Sequence, residues 1–135
     1  MILVIDANAV ISALLKDSKA RQIIVSDKFN LIAPEFLGEE LYKHRKYIIE
    51  KARISDNEIR LLITLLLRHI RIIPKDEYKA KLSKAEEIME NDVKDAPYVA
   101  CYLALKCDGI WTNDAHYDNK FGIMIFSTGY LLKLL

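Results

Sequence analysis

Glycine and proline are scarce in this chain, with four and three among 135 residues. Their scarcity excludes collagen-like repeats and flexible low-complexity linkers. The glycines stand at 38, 109, 122 and 129, spaced for neither the dinucleotide-binding turn nor the P-loop phosphate cradle. Only two cysteines occur, Cys101 and Cys107. Six apart in one helical pattern, they fall on different faces, so neither a disulfide nor a shared metal is expected. Both read as free thiols of a reducing cytoplasm. An excess of either charge is missing too: 20 Lys and Arg face 19 Asp and Glu, a net charge of +1. Bulk attraction to nucleic acid or membrane is thereby excluded, and any such binding needs a local patch. Apolar runs are a handful of residues long, too short to span a bilayer. The opening MILVIDANAV has no basic segment and meets an acid at residue 6, unlike a secretory signal.

What is present alternates. With 52% hydrophobic and 29% charged residues, the composition is that of a globular protein, read as a single domain over residues 1–135. ILVI reads as a short buried strand, followed by a helix over residues 7–16 and another near KARQIIVS. NLIAP reads as a second strand and EFLGEELYKHRKYIIEK as one long helix. Ser55 and Glu58 form a capping-box pattern, and the helix they start keeps Ile59, Leu62, Ile63, Leu66, Leu67 and Ile70 on one stripe. RIIP reads as strand three, and residues 78–90 as a helix burying Tyr78, Leu82, Ala85, Ile88 and Met89. DAPYVACYLALKC, with Pro97 in its first turn, reads as the most buried helix. GIWT and IMIF are strands four and five, and TGYLLKLL is a closing helix. This alternation implies an α/β protein, three-layer α/β/α, around a parallel sheet of about five strands. Right-handed crossovers fit the order 3-2-1-4-5, with strands one and four adjacent at the switch point, where ligands bind.

Asp6 interrupts an apolar run at the end of strand one. A carboxylate there must be capped, hydrogen-bonded or bound to a cation. Asp114 follows strand four, while Glu39 and Glu40, and Asp92 and Asp95, approach the same rim from other segments. Adjacent helical residues point about 100° apart, so only one of the two glutamates faces it. Carboxylates gathered at one sheet edge repel each other, and either hold protons or hold a cation. Hard oxygens without His or Cys favour Mg²⁺ or Mn²⁺ over Zn²⁺. Each acid also has a plainer reading: Asp95 as a helix cap, Asp92 as a loop carboxylate, Asp114 as a turn residue. Asn8 either caps the first helix or hydrogen-bonds a ligand.

The segments VIDANAVISALL, PEFLGEELYKHR, DVKDAPYVACYLAL and IWTNDAHY, in this order, resemble the four acidic motifs of the PIN-domain nuclease family. The likeness covers nearly the whole chain, to FSTGYLLKLL. It implies a fold related to the 5′-nucleases and an Mg²⁺- or Mn²⁺-dependent endoribonuclease, with one or two ions. The resemblance further implies Asp6, Glu40, Asp95 and Asp114 as the acidic quartet, Asp92 as an additional metal ligand, and Asn8 and Thr112 as supporting polar residues. Glu40 is preferred to Glu39 because Leu41 follows it, as in the motif. A homodimer is implied as well and, for chains of the VapC toxin type, an antitoxin partner.

On that reading Asp6 and Asp114 hold the principal ion, and Glu40 and Asp95 complete its surroundings or hold a second. Hydrolysis of single-stranded RNA then leaves a 5′-phosphate and a 3′-hydroxyl. KHRKYIIEKAR supplies Lys43, His44, Arg45, Lys46, Lys51 and Arg53 after Glu40, with Tyr42 and Tyr47 as stacking surfaces. Lys43, Arg45, Lys46 and His116 are the RNA-binding candidates, with Tyr117 and Lys120 at the same rim; a solvated helix face accounts equally well for any one of the basic residues. Leu61 and Leu65 lie off the main stripe of their helix, marking either a dimer or helix-binding surface or a second core layer. A haloacid-dehalogenase-type phosphatase needs a second Asp where Asn8 stands, and a receiver domain needs a Lys where IMIFST ends in hydroxyls. The reading of another class is a catalytically inactive PIN-like scaffold that binds RNA or protein, which has no use for several buried carboxylates.

Overall fold

The apolar run Ile2–Ile5 forms β1, the centre of a five-stranded parallel sheet ordered β3-β2-β1-β4-β5. The structure is a computed structural model and describes residues 1–15, 18–114, 117 and 122–135. β2 (Asn30–Pro34) and β4 (Gly109–Trp111) flank β1, with β3 (Ile70–Ile73) and β5 (Ile125–Phe126) at the edges. The register sets Val4 opposite Ile32 on one side and Ile110 on the other. A strand covered on both faces carries apolar residues consecutively rather than in alternation, and Leu3, Val4 and Ile5 are all fully buried. The strand order is the one that the alternating pattern implies.

Helices α1 (Ala7–Leu14) and α2 (Lys19–Val25) link β1 to β2, and α3 (Phe36–Lys43), α4 (Arg45–Ala52) and α5 (Asp56–Leu67) link β2 to β3. The chain then crosses back through α6 (Lys75–Tyr78), α7 (Leu82–Met89) and α8 (Ala96–Ala104) to β4. α1 packs with α2 to α5, whereas α8 packs on β1, β2 and β4 and carries α6 and α7. Helical layers thus sandwich the sheet in a three-layer α/β/α arrangement, closed by α9 (Thr128–Lys133) against α2. As its apolar sequence requires, α8 buries Tyr98, Val99, Ala100 and Cys101 completely. The capping box at α5 forms in both directions, Ser55 and Glu58 exchanging bonds of 3.1 Å.

Four expectations need correction, the first being Ile70, which opens β3 instead of lying on the α5 stripe, because α5 ends at Leu67. The segment EFLGEELYKHRKYIIEK is two helices, broken at His44 (φ −96, ψ 8), whose N–H ends α3 on Glu40 and whose carbonyl starts α4 with Ile48. The helix read over residues 78–90 begins at Lys75 and passes through a 3₁₀ turn, Lys79–Lys81, before α7. Cys107 lies beyond the end of α8 instead of on it, its thiol facing the Cys101 carbonyl at 3.9 Å. Both thiols are free, and burial pushes Cys101 up to about 12 and Cys107 up to about 11, which leaves them unreactive. Gly109 is required by close packing: a Cβ there would run into the Phe126 ring.

Candidate functional site

The carboxyl ends of β1 and β4 meet at Asp6 and Thr112, and the Asp6 N–H continues the ladder to the Trp111 carbonyl at 3.0 Å. Asp6 leaves the strand in an extended conformation and caps α1, its Oδ1 accepting from the Ala7 N–H at 2.8 Å. Its Oδ2 accepts from the Thr112 hydroxyl at 2.9 Å. That hydroxyl oxygen also accepts from Asn8 Nδ2 at 3.1 Å and from the Asp114 N–H at 3.0 Å. A single threonine therefore ties together Asp6, Asn8 and Asp114. Asp6 takes the capping role, and Asn8 braces the residue that holds Asp6.

Capping and hydrogen bonding do not hold Asp6 at its ordinary pKa. Its pKa is raised from 3.8 to about 7. Burial is the largest cause, the Thr112 hydroxyl and Ala7 N–H act against it, and the negative charges of Asp95 and Glu40 add to the rise. The carboxylates from three distant segments are thus close enough to disturb one another.

Glu40 projects from α3 and accepts the Tyr98 hydroxyl of α8 at 2.5 Å. Glu39 is exposed and lines a different cleft with Lys75 and Tyr78. Of the two glutamates, Glu40 is therefore the one on the side of Asp6. Asp95 is 5% exposed and closes the 3₁₀ segment Glu90–Asp95; it stands at the cap position of α8, but its side chain makes no capping bond. Asp92 is half-buried at a kink in that segment (φ −108, ψ 42). Asp114 is half-buried just after β4.

Tyr117 reports on the whole group. It is fully buried, and its hydroxyl has no hydrogen-bond partner among the described residues. Burial raises its pKa most, followed by the fields of Asp6, Asp95, Glu40 and Asp114 in that order. Among the described residues, no group of three His, Cys, Asp or Glu side chains is disposed to hold a metal ion as it stands. The acids share one electrostatic neighbourhood without forming a closed cage. A hard divalent ion fits such a donor set, because Mg²⁺ keeps several waters and takes only one or two carboxylates directly. An orphaned hydroxyl beside four acids is the kind of group that an ion's hydration water satisfies.

A family model described as PIN domain matches residues 4–125, from β1 into β5. The chain belongs to the PIN-domain family. PIN domains are generally metal-dependent nucleases, and in this PIN domain Asp6 stands at the end of the central strand, with Thr112 linking it to Asp114. No curated protein matches the chain.

The described basic candidates, Lys43, Arg45 and Lys46, sit together where α3 passes into α4. Lys43 and Lys46 are exposed. Arg45 is engaged, its guanidinium 4.5 Å over the Tyr42 ring and 3.7 Å from Asp56. His116 and Lys120 lie outside the described residues. Reading the sequence placed Tyr117 at the rim and passed over Tyr98 as core. Tyr98 bonds Glu40, and the available signal was a tyrosine inside an apolar helix, whose hydroxyl needs a partner.

Proposed function

We propose that this PIN domain is a divalent-metal-dependent ribonuclease that hydrolyses single-stranded RNA beside Asp6, Glu40, Asp95 and Asp114. The observation that supports the proposal is the Thr112 hydroxyl at the end of the central strands, bonded to the Asp6 carboxylate, the Asn8 amide and the Asp114 N–H, with Asp95 and Glu40 near enough to raise the Asp6 pKa. Mg²⁺ or Mn²⁺, one ion or two, held by Asp6 and Asp114 with Asp95, Glu40 and Asp92 completing the set, would neutralise the phosphate, acidify water and stabilise the leaving 3′-oxygen. The protein supplies rigidity. The Ala7 N–H and Thr112 hydroxyl fix the two oxygens of Asp6, Asn8 braces Thr112, and Tyr98 fixes Glu40. A carboxylate accepts a hydrogen bond from the attacking water and aligns it opposite the 3′-oxygen, which leaves a 5′-phosphate and spares the 2′-hydroxyl.

Thermal melting with millimolar Mn²⁺ or Mg²⁺ tests this reading apart from turnover. Binding to the native state alone raises stability by about 2.7 kcal/mol at 100 times Kd. The melting temperature is expected to rise by several degrees, to return with chelator, and not to respond in Asp6→Asn. An unchanged melting temperature in the parent favours the scaffold reading.

The proposal extends to a homodimer formed through α5. Leu61 and Leu65 are 61% and 43% exposed, so no second core layer covers them. At about 100° per residue they share one stripe of α5, on the side away from the apolar cleft that Ile59, Ile63 and Leu67 form with α3. Sedimentation of the purified chain is expected to give a dimer, and of Leu61→Glu/Leu65→Glu a folded monomer. The narrower toxin reading, with its antitoxin partner, rests on the resemblance to VapC-type chains; it expects growth arrest on expression of the parent and normal growth with Asp6→Asn.

A further inference from the structure

An acidic site repels RNA, and a net charge of +1 offers no general attraction to offset that. The strand needs a local hold elsewhere. A cleft of about 580 Å³ lies where the end of α1, helix α2 and the turn from α4 to α5 meet. Arg21, Lys51 and Arg53 line it over an apolar floor of Leu14, Ile54 and Leu62, and its wall contains no carboxylate among the described residues. Arg21 is fixed in place, donating Nε to the Ala13 carbonyl at 2.7 Å and Nη2 to the Leu15 carbonyl at 3.2 Å. Lys51 and Arg53 are exposed and make no salt bridge among the described residues. The arginines of the α3–α5 cleft, by contrast, are both paired with Asp56.

Helix α1 joins the cleft to the acids. Asp6 caps its first turn, and Leu14, its last residue, forms part of the cleft floor. Eight residues separate the two by about 12 Å. The less buried side of α1 carries Asn8, Ile11, Ser12 and Leu15, which is one helical stripe running from the Thr112 network to the carbonyl that Arg21 holds.

We propose that this basic cleft is a second RNA subsite, binding backbone phosphates a few nucleotides from the bond cleaved at Asp6. The proposal rests on the ribonuclease reading and adds to it a hold on the strand remote from the acids. Lys51 and Arg53 take phosphate oxygens, while the aliphatic floor accepts the face of a base or sugar. RNA long enough to span α1 engages both places; a fragment of two or three nucleotides, held at the acids through the divalent ion, does not reach the cleft.

The test is Lys51→Gln/Arg53→Gly. Arg53 sits in the left-handed region (φ 56) at the end of α4, where glycine is unstrained, so the variant is expected to melt no lower than the parent. Binding is read by fluorescence anisotropy in Ca²⁺ at several salt concentrations, on single-stranded RNA of about 12 nucleotides and of about 3. Affinity for the longer RNA is expected to fall about tenfold, with a salt slope lower by about 1.4, the value for two phosphate contacts on a single strand. Affinity for the short RNA and Mn²⁺-dependent hydrolysis of bis(p-nitrophenyl) phosphate are expected to stay within about twofold, since neither reaches the cleft. Unchanged binding of the longer RNA overturns the proposal, as does an equal loss for both lengths. Competition by a poly-glutamate peptide that the double variant no longer feels, with RNA binding intact, also overturns it in favour of an acidic protein partner. A parent that binds the longer RNA through this cleft yet hydrolyses nothing would instead sink the ribonuclease reading alone.

Discussion

Asp6→Asn is expected to lower RNA cleavage by at least about 1000-fold, the scale of losing one strong electrostatic contributor to a transition state, while making the metal-free protein more stable. Asparagine is as good a helix cap as aspartate, so the bond from Ala7 is retained and the local fold survives. What disappears is a buried charge among Asp95 and Glu40, together with the one bond from the Thr112 hydroxyl, which the amide nitrogen replacing Oδ2 cannot accept. The Asp6 pKa is raised from 3.8 to about 7 by folding, so the folded chain binds this proton more tightly than the unfolded one. The parent therefore carries no penalty from Asp6 below 3.8, loses stability as the pH climbs through about 7, and stays at the lower level above that. The full penalty is on the order of 4 kcal/mol. Urea melts in chelator are expected to show the variant more stable than the parent above pH 7 and equal to it near pH 3.8. A variant less stable across the whole range would mean that Asp6 serves the fold and not a cation.

Thr112→Val is expected to have the second-largest effect, and to act on chemistry and fold together. Valine keeps the β-branched shape but removes the hydroxyl that donates to Asp6 and accepts from Asn8 and Asp114. Thr112 is 1% exposed, so water does not readily replace those partners. Leaving buried donors unmatched costs about 1–3 kcal/mol each, and the Asp114 N–H is one. We expect a loss of about 3 kcal/mol in urea unfolding and a fall in cleavage of about 100-fold, on the scale of a lost bond to a charged catalytic group. The hydroxyl is also one of the groups that hold the Asp6 pKa down. Its removal should move the acid limb of the pH–rate profile to higher pH, an effect that simple destabilisation does not produce. Thr112→Ser should restore the limb and most of the activity.

The sheet was legible because its strands are short apolar runs separated by helical patterns, and right-handed crossovers leave few ways to connect them. Asp6 stood out because an acid at the end of ILVI has no place in an apolar run without a partner. The break at His44 was hidden, since Leu37, Leu41 and Ile48, all buried, keep the spacing of one continuous helix. No glycine or proline marks it; the turn follows from packing. Likewise, helical geometry says that one of Glu39 and Glu40 faces the site but not which one, and the partner that distinguishes them, Tyr98, lies 58 residues away. Tyr117 was hard to read for a related reason: the company of a buried hydroxyl is decided by the fold around it, not by its own neighbours in the chain.

Helix α1 has a consequence for which changes this chain tolerates. It starts on the carboxylate of Asp6, and near its far end the Ala13 carbonyl is clasped by Arg21. One residue inserted between those points would rotate everything beyond it by about 100° and advance it by about 1.5 Å, unclasping Arg21 or unseating Asp6. Point changes along its partly exposed stripe should be absorbed easily. Its length is a gauge, and a gauge has no slack.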